Sequence, residues 1–176
     1  MALSVEDYQP AIVHYDASWP PTFAQLKHRI VSALVVAHTG LTSEPGLSAN
    51  AVIDIDLAVP GVDDEASYAP QLKPAGFQFL LRERQWHGHR LFGTREPVAN
   101  LHVGEPDSPE AERHRICREW LARNEGDREL YARVKRVSAE RSVAETVREY
   151  NGRKEFVIRE IWRGRFESLG TSSDGL

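Results

Sequence analysis

The alternating run Ile53-Asp54-Ile55-Asp56-Leu57 constrains this chain more than any other feature of its 176 residues. Successive side chains of a β-strand point to opposite faces, so the run predicts a strand over residues 51–59 with both aspartates on one face. Aspartate is depleted in strands, and local preferences tend to be broken at functional sites. The pattern therefore predicts a pair of carboxylates presented together from one side of a sheet.

A turn rich in glycine and hydroxyl groups, His38–Gly46 (HTGLTSEPG), comes just before this strand. Such a turn can cradle a phosphate, and paired carboxylates can hold a hard divalent cation such as Mg²⁺. Together the two features indicate metal-assisted phosphoryl or nucleotidyl transfer. The structural alternative is a half-buried strand whose wet face carries acids. In that case His38 would only bond the turn.

Composition predicts a cytoplasmic α/β chain with one domain over residues 1–167 and a polar, flexible tail over residues 168–176. The hydrophobic fraction is 41% and there is one cysteine, which fits a reducing compartment. The N-terminus does not resemble a secretion signal, and no apolar run is long enough to span a bilayer. The sequence therefore predicts no membrane partner.

The net charge of −4 is unevenly distributed. Residues 1–100 hold 7 Lys and Arg against 11 Asp and Glu, whereas residues 111–167 hold 15 against 11. A solvated, mutually paired helix surface is the ordinary explanation of such a basic part, and an anionic ligand held against the acidic site is the alternative. A sequence pI of about 6.0 argues against a nucleic-acid groove. The expected ligand is a nucleotide or another phosphorylated small molecule.

Turn residues and periodicity predict the order of the elements. Pro20 and Pro21 suit the first turn of a helix that reaches about residue 34. Ser108 with Pro109 begins the helical last third, in which Asp127 is expected to cap a second helix and residue 142 a third. The remaining segments are a strand over 35–38, a helix over 63–73, and strands over 77–82, 90–94 and 98–103. The predicted fold is α/β (α+β), with a mixed sheet of about five strands and helices mainly on one side.

Several segments together resemble the GrpB family over residues 12–166. They are Tyr15-Asp16 with Trp19-Pro20, the string from His38 to Asn50, Ile53-Asp54, Leu101-His102-Val103, Cys117–Leu121, and Tyr150 with Lys154. The resemblance implies a nucleotidyltransferase-like fold in which a Gly-Ser turn precedes an Asp-x-Asp strand. It implies no settled activity. Family members are sometimes fused to dephospho-CoA kinase, but the sequence identifies no protein partner of this chain.

Two departures from the family pattern affect the turn. Leu41 stands where the family usually has serine, and Asn50 stands where a lysine is usual. The first removes a hydroxyl and the second a positive charge, so both weaken anion binding. Thr42, Ser43 and the backbone amides remain for a phosphate-binding nest.

A third departure concerns the later strand on which nucleotidyltransferases of this fold tend to carry a third carboxylate. Here that strand offers His102, with no acid until Glu105. Histidine can bind a metal or carry a proton, but a magnesium site prefers oxygen ligands. His87 and His89 would form a metal cluster with His102 if their strands align.

These observations predict a site with two groups of residues. The catalytic group is Asp54, Asp56 and His102, with Asp54 and Asp56 as the Mg²⁺ ligands. The phosphate- or nucleotide-binding group is His38, Gly40, Thr42, Ser43, Arg118, Lys135 and Lys154. The resemblance supports a ligand role for Lys135 and Lys154, which otherwise lie on solvated helix faces. Arg118 would reach a phosphate if its part of the helix faces the site, and is otherwise an exposed charge on a solvated face. The alternative to an enzyme is a non-catalytic module that binds a nucleotide or CoA-like anion, or that assists a partner such as dephospho-CoA kinase.

Overall fold

Two units divide the chain, Met1–Ile116 and Cys117–Leu176. The structure is a computed structural model, and it describes residues 12–30, 35–85, 88–141 and residue 159. The predicted third C-terminal helix lies outside the described residues apart from Arg159, which is helical, and the predicted tail lies wholly outside them. The extent of a single domain over residues 1–167 stays a prediction.

Seven strands and four helices are described. In chain order they are β1 (Ile12–Val13), α1 (Trp19–Arg29), β2 (Val35–Thr39), β3 (Ala49–Asn50), β4 (Ile53–Ala58), α2 (Glu65–Leu72), β5 (Gln78–Glu83), β6 (His89–Arg95), β7 (Val98–Gly104), α3 (Pro109–Arg123) and α4 (Glu125–Arg141). A 3₁₀ turn, Leu41–Ser43, connects β2 to β3. None of the helices in the described part of the chain has the length and apolar composition needed to cross a bilayer.

The first unit contains a five-stranded mixed sheet with the strand order β2-β4-β7-β6-β5. Strands β4 and β7 are parallel, and the other neighbouring pairs are antiparallel. Strands β1 and β3 form a separate two-stranded ribbon. The structure confirms the predicted fold class, a mixed α/β architecture built on five strands.

One face of this sheet is buried under helices. Ile53, Ile55 and Leu57 of β4 are buried. On the same face, Phe23 of α1 stacks on His38, with ring centroids 4.7 Å apart, and the Tyr68 ring of α2 meets Phe92 edge to face. Helices α1 and α2 therefore lie on one side of the sheet, which leaves the alternate residues of β4 on the other side.

Helix ends differ from the prediction in two places. Helix α1 ends at Arg29, because Ile30 already has extended backbone angles. The prediction that Asp127 caps the second C-terminal helix is wrong, since α4 begins at Glu125. The Asp127 carboxylate instead accepts a hydrogen bond from Trp120 Nε1 at 2.6 Å. The predicted Ser108 cap is confirmed by the hydrogen bond from the Ala111 amide to Ser108 Oγ.

A buried arginine ties α2 to the sheet. Arg90 of β6 is 2% exposed and donates to Glu65 Oε1 at 2.9 Å, to Asp63 Oδ1 at 2.6 Å and to the Gly88 carbonyl. Arg82 of β5 donates to the same Glu65 carboxylate. Charge-assisted bonds of this kind are about twice as strong as neutral ones. Glu65 thus joins two strands to the first turn of α2.

This carboxylate makes acid stability testable. The hydrogen bond from Arg82, aided by Arg90, lowers the pKa of Glu65 from its ordinary value of 4.5 to about 2. Because the folded-state pKa is lowered, the stabilisation is fully present above the unfolded-state value and is lost as the pH falls toward the folded-state value. Urea unfolding is measured from neutral pH down to strong acid. Between about pH 4.5 and pH 2, the free energy of unfolding of Glu65→Gln should fall less steeply with pH than that of the parent protein. Asp64→Asn, at an exposed neighbour, should leave the slope unchanged, and equal slopes for the parent and Glu65→Gln would contradict the expectation.

Candidate functional site

Asp54 and Asp56 emerge together on the half-exposed face of β4. Burial alternates along this strand, and the residues between and beside the two aspartates are buried. The Asp54 side chain is 33% exposed and that of Asp56 is 13% exposed. The structure confirms the prediction that both carboxylates lie on one side of the sheet.

The glycine turn lies directly against the first of these carboxylates. Gly40 has φ +68°, and a side chain at this position would place its Cβ 2.5 Å from Asp54 Oδ2 and 3.2 Å from Asp54 Cβ. A positive φ and so close an approach both favour glycine. The structure therefore confirms that the turn lies beside Asp54, as predicted.

Thr39 supplies a further polar group beside Asp54. These two residues are directly opposite each other in the antiparallel pair β2–β4, so their side chains share a face. Thr39 is 3% exposed, and its Oγ1 has no hydrogen-bond partner among the described residues. A buried hydroxyl without a partner costs free energy. This hydroxyl has unused capacity to bind water or a ligand.

Strand β7 brings an amide and an imidazole to Asp54. The parallel register places Asn100 opposite Asp54 and His102 opposite Asp56. Asn100 Nδ2 donates to Asp54 Oδ1 at 3.1 Å, and His102 Nε2 lies 3.7 Å from the same oxygen. The predicted catalytic residues Asp54, Asp56 and His102 are therefore neighbours on one face.

Two more histidines extend this polar face. His114 of α3 binds Asp56, with its Nδ1 2.9 Å and 3.0 Å from the two carboxylate oxygens. His89 Nε2 lies 3.0 Å from His102 Nδ1, and His89 Nδ1 lies 2.8 Å from Glu83 Oε2. We refer to Glu83, His89 and His102 as the histidine chain. It runs across three neighbouring strands and ends facing Asp54.

The hydroxyl groups of the turn are engaged within the turn itself. Thr42 is 2% exposed, and its hydroxyl donates to the Val52 carbonyl at 3.2 Å. Because that hydroxyl has one hydrogen, His38 Nε2 is the donor in its 3.1 Å bond to Thr42 Oγ1. Ser43 Oγ donates to the Gly40 carbonyl at 2.6 Å. Neither hydroxyl donates to a ligand in this arrangement.

His38 does not join the aspartates. It is opposite Ile55 in the β2–β4 register, and its ring stacks on Phe23. Its side chain therefore lies on the helix-covered face, where it bonds the turn through Thr42. This placement matches the structural alternative for His38, and its role toward a phosphate stays a prediction.

Comparison with known proteins identifies the family. The sequence model of the GrpB protein family matches residues 9–163. The chain belongs to the GrpB family. A UPF0157 protein of Halalkalibacterium halodurans is 38% identical over 157 residues, which cover 86% of this chain and 80% of that relative. A UPF0157 protein of Streptomyces coelicolor is 36% identical over 126 residues, which cover 69% of this chain and 66% of that relative.

A solved structure supports the fold of this GrpB-family chain. The crystal structure of the conserved protein GrpB from Enterococcus faecalis matches with a TM-score of 0.67 and 20% sequence identity. The match covers 86% of this chain and 99% of that one. At this level of identity the likeness concerns the fold alone.

The structure does not describe where three predicted anion-binding residues of the GrpB-family chain lie relative to the aspartates. Arg118 belongs to the second unit. Lys135 is part of α4, but its side chain lies outside the described residues, and Lys154 lies outside them altogether. Their contact with a phosphate stays a prediction. Among the predicted residues, the described part of the chain unites Gly40, Asp54, Asp56 and His102.

The residues around Asp54 fit a divalent cation in part. Two carboxylates on one face suit a hard cation, which in phosphate chemistry takes one or two protein carboxylates together with substrate oxygens. The unpartnered Thr39 hydroxyl and the bare Gly40 backbone leave polar space beside Asp54. However, no group of three His, Cys, Asp or Glu side chains in the described ranges is already arranged around one point. The third nearby donor is an imidazole nitrogen, which suits a transition metal better than Mg²⁺.

Another cleft of the first unit, with a volume of about 980 Å³, is lined by charged residues that include Asp63, Glu65, Arg82 and Arg90. The charges of Arg82 and Arg90 are already neutralised by Glu65 and Asp63. Five acidic residues line this cleft against three arginines, so its net charge does not favour a phosphate. The aspartate face is the better candidate because carboxylates, imidazoles and a bare glycine backbone converge there.

Sequence reasoning missed Asn100 and His114 at this face. Asn100 stands two residues before His102 on β7, so period-two alternation could have found it. His114 carries no such signal, because it is 58 residues from Asp56 in the chain. Only the packing of α3 brings the two together.

Proposed function

We propose that this GrpB-family chain is a metal-dependent nucleotidyl- or phosphoryl-transferase that acts on a small acceptor at the face of Asp54 and Asp56. The observation that carries the proposal is the presentation of both carboxylates on one sheet face, with the backbone of Gly40 against Asp54. A divalent cation held by such carboxylates neutralises the charge that builds up on a transferred phosphoryl group. The family resemblance to a nucleotidyltransferase-like fold supports the same chemistry.

The surrounding residues then have defined parts in the reaction. Asn100 holds Asp54 by donating to its Oδ1, and His114 holds Asp56. Gly40 lets phosphate oxygens approach the backbone, because no side chain stands there. His102 serves the reaction either as a proton carrier or as a metal ligand, since its Nε2 lies 3.7 Å from Asp54 Oδ1.

A second candidate is a non-catalytic module that binds a nucleotide or CoA-like anion, alone or beside a partner such as dephospho-CoA kinase. It is favoured by the turn, where the hydroxyls of Thr42 and Ser43 already donate to backbone carbonyls. Leu41 and Asn50 also favour a binding module, because they remove a hydroxyl and a charge from the family pattern. Such a module would bind anions without a cation and without turnover.

Asp54→Asn separates the two candidates. Calorimetric titration with a nucleoside triphosphate should show tighter binding to the parent protein in the presence of Mg²⁺ or another divalent cation. In Asp54→Asn, the nucleotide affinity measured with the cation present should be lower by a factor of about ten or more. The variant should keep its fold, because the residue is partly exposed. Asp64→Asn makes the same change at an exposed position of the same unit and should keep the gain.

Product analysis of the same samples completes the test. Cation-dependent binding with turnover supports the transferase. Binding that needs no cation and gives no product would select the anion-binding module. An equal cation response in the parent and Asp54→Asn would remove this aspartate from the proposed site.

A further inference from the structure

The hydrogen bonds of the histidine chain determine which ring nitrogen of His102 carries the hydrogen. An ionised carboxylate only accepts hydrogen bonds, so His89 Nδ1 carries the hydrogen in its 2.8 Å contact with Glu83. In a neutral His89 ring, Nε2 is then an acceptor. His102 Nδ1 must therefore donate to it across 3.0 Å. In a neutral His102, this leaves the lone pair of Nε2 directed toward Asp54.

Two electron-rich atoms then face each other where the histidine chain ends at Asp54. His102 Nε2 and Asp54 Oδ1 are 3.7 Å apart, which is beyond the usual length of a hydrogen bond. Two ligand bonds of about 2.1 Å that meet at a tetrahedral angle place their donor atoms about 3.4 Å apart. The observed separation is thus close to that of two ligands of one metal ion.

We infer that His102 Nε2 and Asp54 Oδ1 are two ligands of a single transition-metal ion, of the class of Zn²⁺, Co²⁺ or Mn²⁺, in preference to Mg²⁺. This deepens the proposed function, because it names the cation of the proposed site. A carboxylate with an imidazole suits these metals, whereas Mg²⁺ prefers oxygen alone.

Glu83 and His89 are positioning residues in this site. A metal-binding histidine usually donates its other ring hydrogen to an outer partner, which fixes the tautomer and increases the basicity of the ligand nitrogen. His89 is that partner for His102, and Glu83 holds His89 in turn. The rings of His89 and His102 are stacked, with centroids 5.2 Å apart, so the orientation of His102 is set before any metal arrives.

Asp54 is prepared in a matching way. Asn100 donates to its Oδ1 at 3.1 Å and holds the carboxylate in place. The buried hydroxyl of Thr39 lies beside it without a partner in the described part of the chain. Water molecules and substrate oxygens complete the coordination, since the described residues place two ligands at this point.

The test uses the full chain and measures metal binding directly. Calorimetry should show that Co²⁺ and Zn²⁺ bind at least about tenfold more tightly than Mg²⁺. The Co²⁺-loaded protein should show visible absorption bands of a nitrogen-ligated ion. His102→Phe keeps an aromatic ring but removes the nitrogen, and should abolish both the preference and the bands.

Glu83→Gln tests the positioning role at an exposed residue. It should weaken Co²⁺ binding by about 10- to 100-fold, the range for outer partners of metal ligands, and leave Mg²⁺ binding unchanged. Glu129→Gln removes the same charge at an exposed position of α4 and should change neither. Equal binding of Mg²⁺ and Co²⁺, or Co²⁺ bands that persist in His102→Phe, would overturn the inference.

These outcomes are distinct from failure of the proposed function. A Mg²⁺-dependent transferase that does not use His102 would contradict the inference alone. Co²⁺ bound through His102 without any nucleotide turnover would support the inference and contradict the transferase. A protein that binds no divalent cation would contradict both.

Discussion

Gly40→Ala is expected to lower the free energy of unfolding by about 3 kcal/mol and to abolish the proposed cation binding at Asp54. The loss combines a left-handed backbone at a residue with a Cβ, which costs about 1–2 kcal/mol, with overpacking of about 1–3 kcal/mol. The overpacking arises because the new Cβ would meet Asp54 Oδ2 at 2.5 Å and Asp54 Cβ at 3.2 Å. Urea unfolding measures the first effect and calorimetric titration with a divalent cation the second.

Gly46→Ala is the matched control, since it changes the same residue type in the same connection between strands. Gly46 has φ +83°, but apart from its chain neighbours no atom of the described residues lies within 4 Å of a Cβ built there. This variant should carry only the backbone cost of about 1–2 kcal/mol and should bind cations as the parent does. Equal losses in the two variants would show that the contact between the turn and Asp54 has no energetic importance.

Glu65→Ala is expected to destabilise the fold by about 3 kcal/mol, because it removes the main partner of a buried cation. Arg90 is 2% exposed, and its remaining carboxylate partner, Asp63, has a side chain that is 89% exposed. The guanidinium would thus stay buried with weak compensation. Chemical denaturation of the parent and the variant at neutral pH measures the difference.

A second substitution distinguishes the buried charge from the lost hydrogen bonds. Removing both members of a buried ion pair is less costly than removing one, so Glu65→Ala combined with Arg90→Met should recover part of the stability. Asp64→Asn, at the exposed residue just before α2, should change stability by less than about 0.5 kcal/mol, because asparagine is as suitable as aspartate at a helix start. A double variant less stable than Glu65→Ala would show that Arg90 stabilises the fold independently of Glu65.

The local elements of the first unit follow closely from sequence patterns. The alternation in β4 predicted a strand and the shared face of Asp54 and Asp56, because period two is a property of the extended chain itself. Gly40 predicted a tight turn, and its positive φ is the conformation that glycine adopts readily. The Ser108-Pro109 start of α3 follows from capping chemistry at the helix end.

Contacts between distant segments were not predictable in the same way. The expectation that Asp127 caps a helix is wrong because α4 already begins at Glu125, and the Asp127 carboxylate accepts a hydrogen bond from Trp120 of α3 instead. His38 stands two residues before Gly40, yet strand pairing turns it to the face opposite the aspartates. In both cases a packing contact, rather than a local preference, determines what the side chain meets.

The sequence by itself determined the strand with its paired carboxylates, the glycine turn before it and the class of fold, because these depend on residues within a few positions of each other. Only the tertiary structure decided what surrounds the carboxylates. The parallel pairing of β4 with β7 brings His102 and Asn100 to Asp54, the next strand adds His89, and α3 adds His114. Strand order and helix packing depend on the burial of the whole core, which no short segment encodes. The chemical character of the site, with its imidazoles beside two aspartates, is therefore a property of the fold.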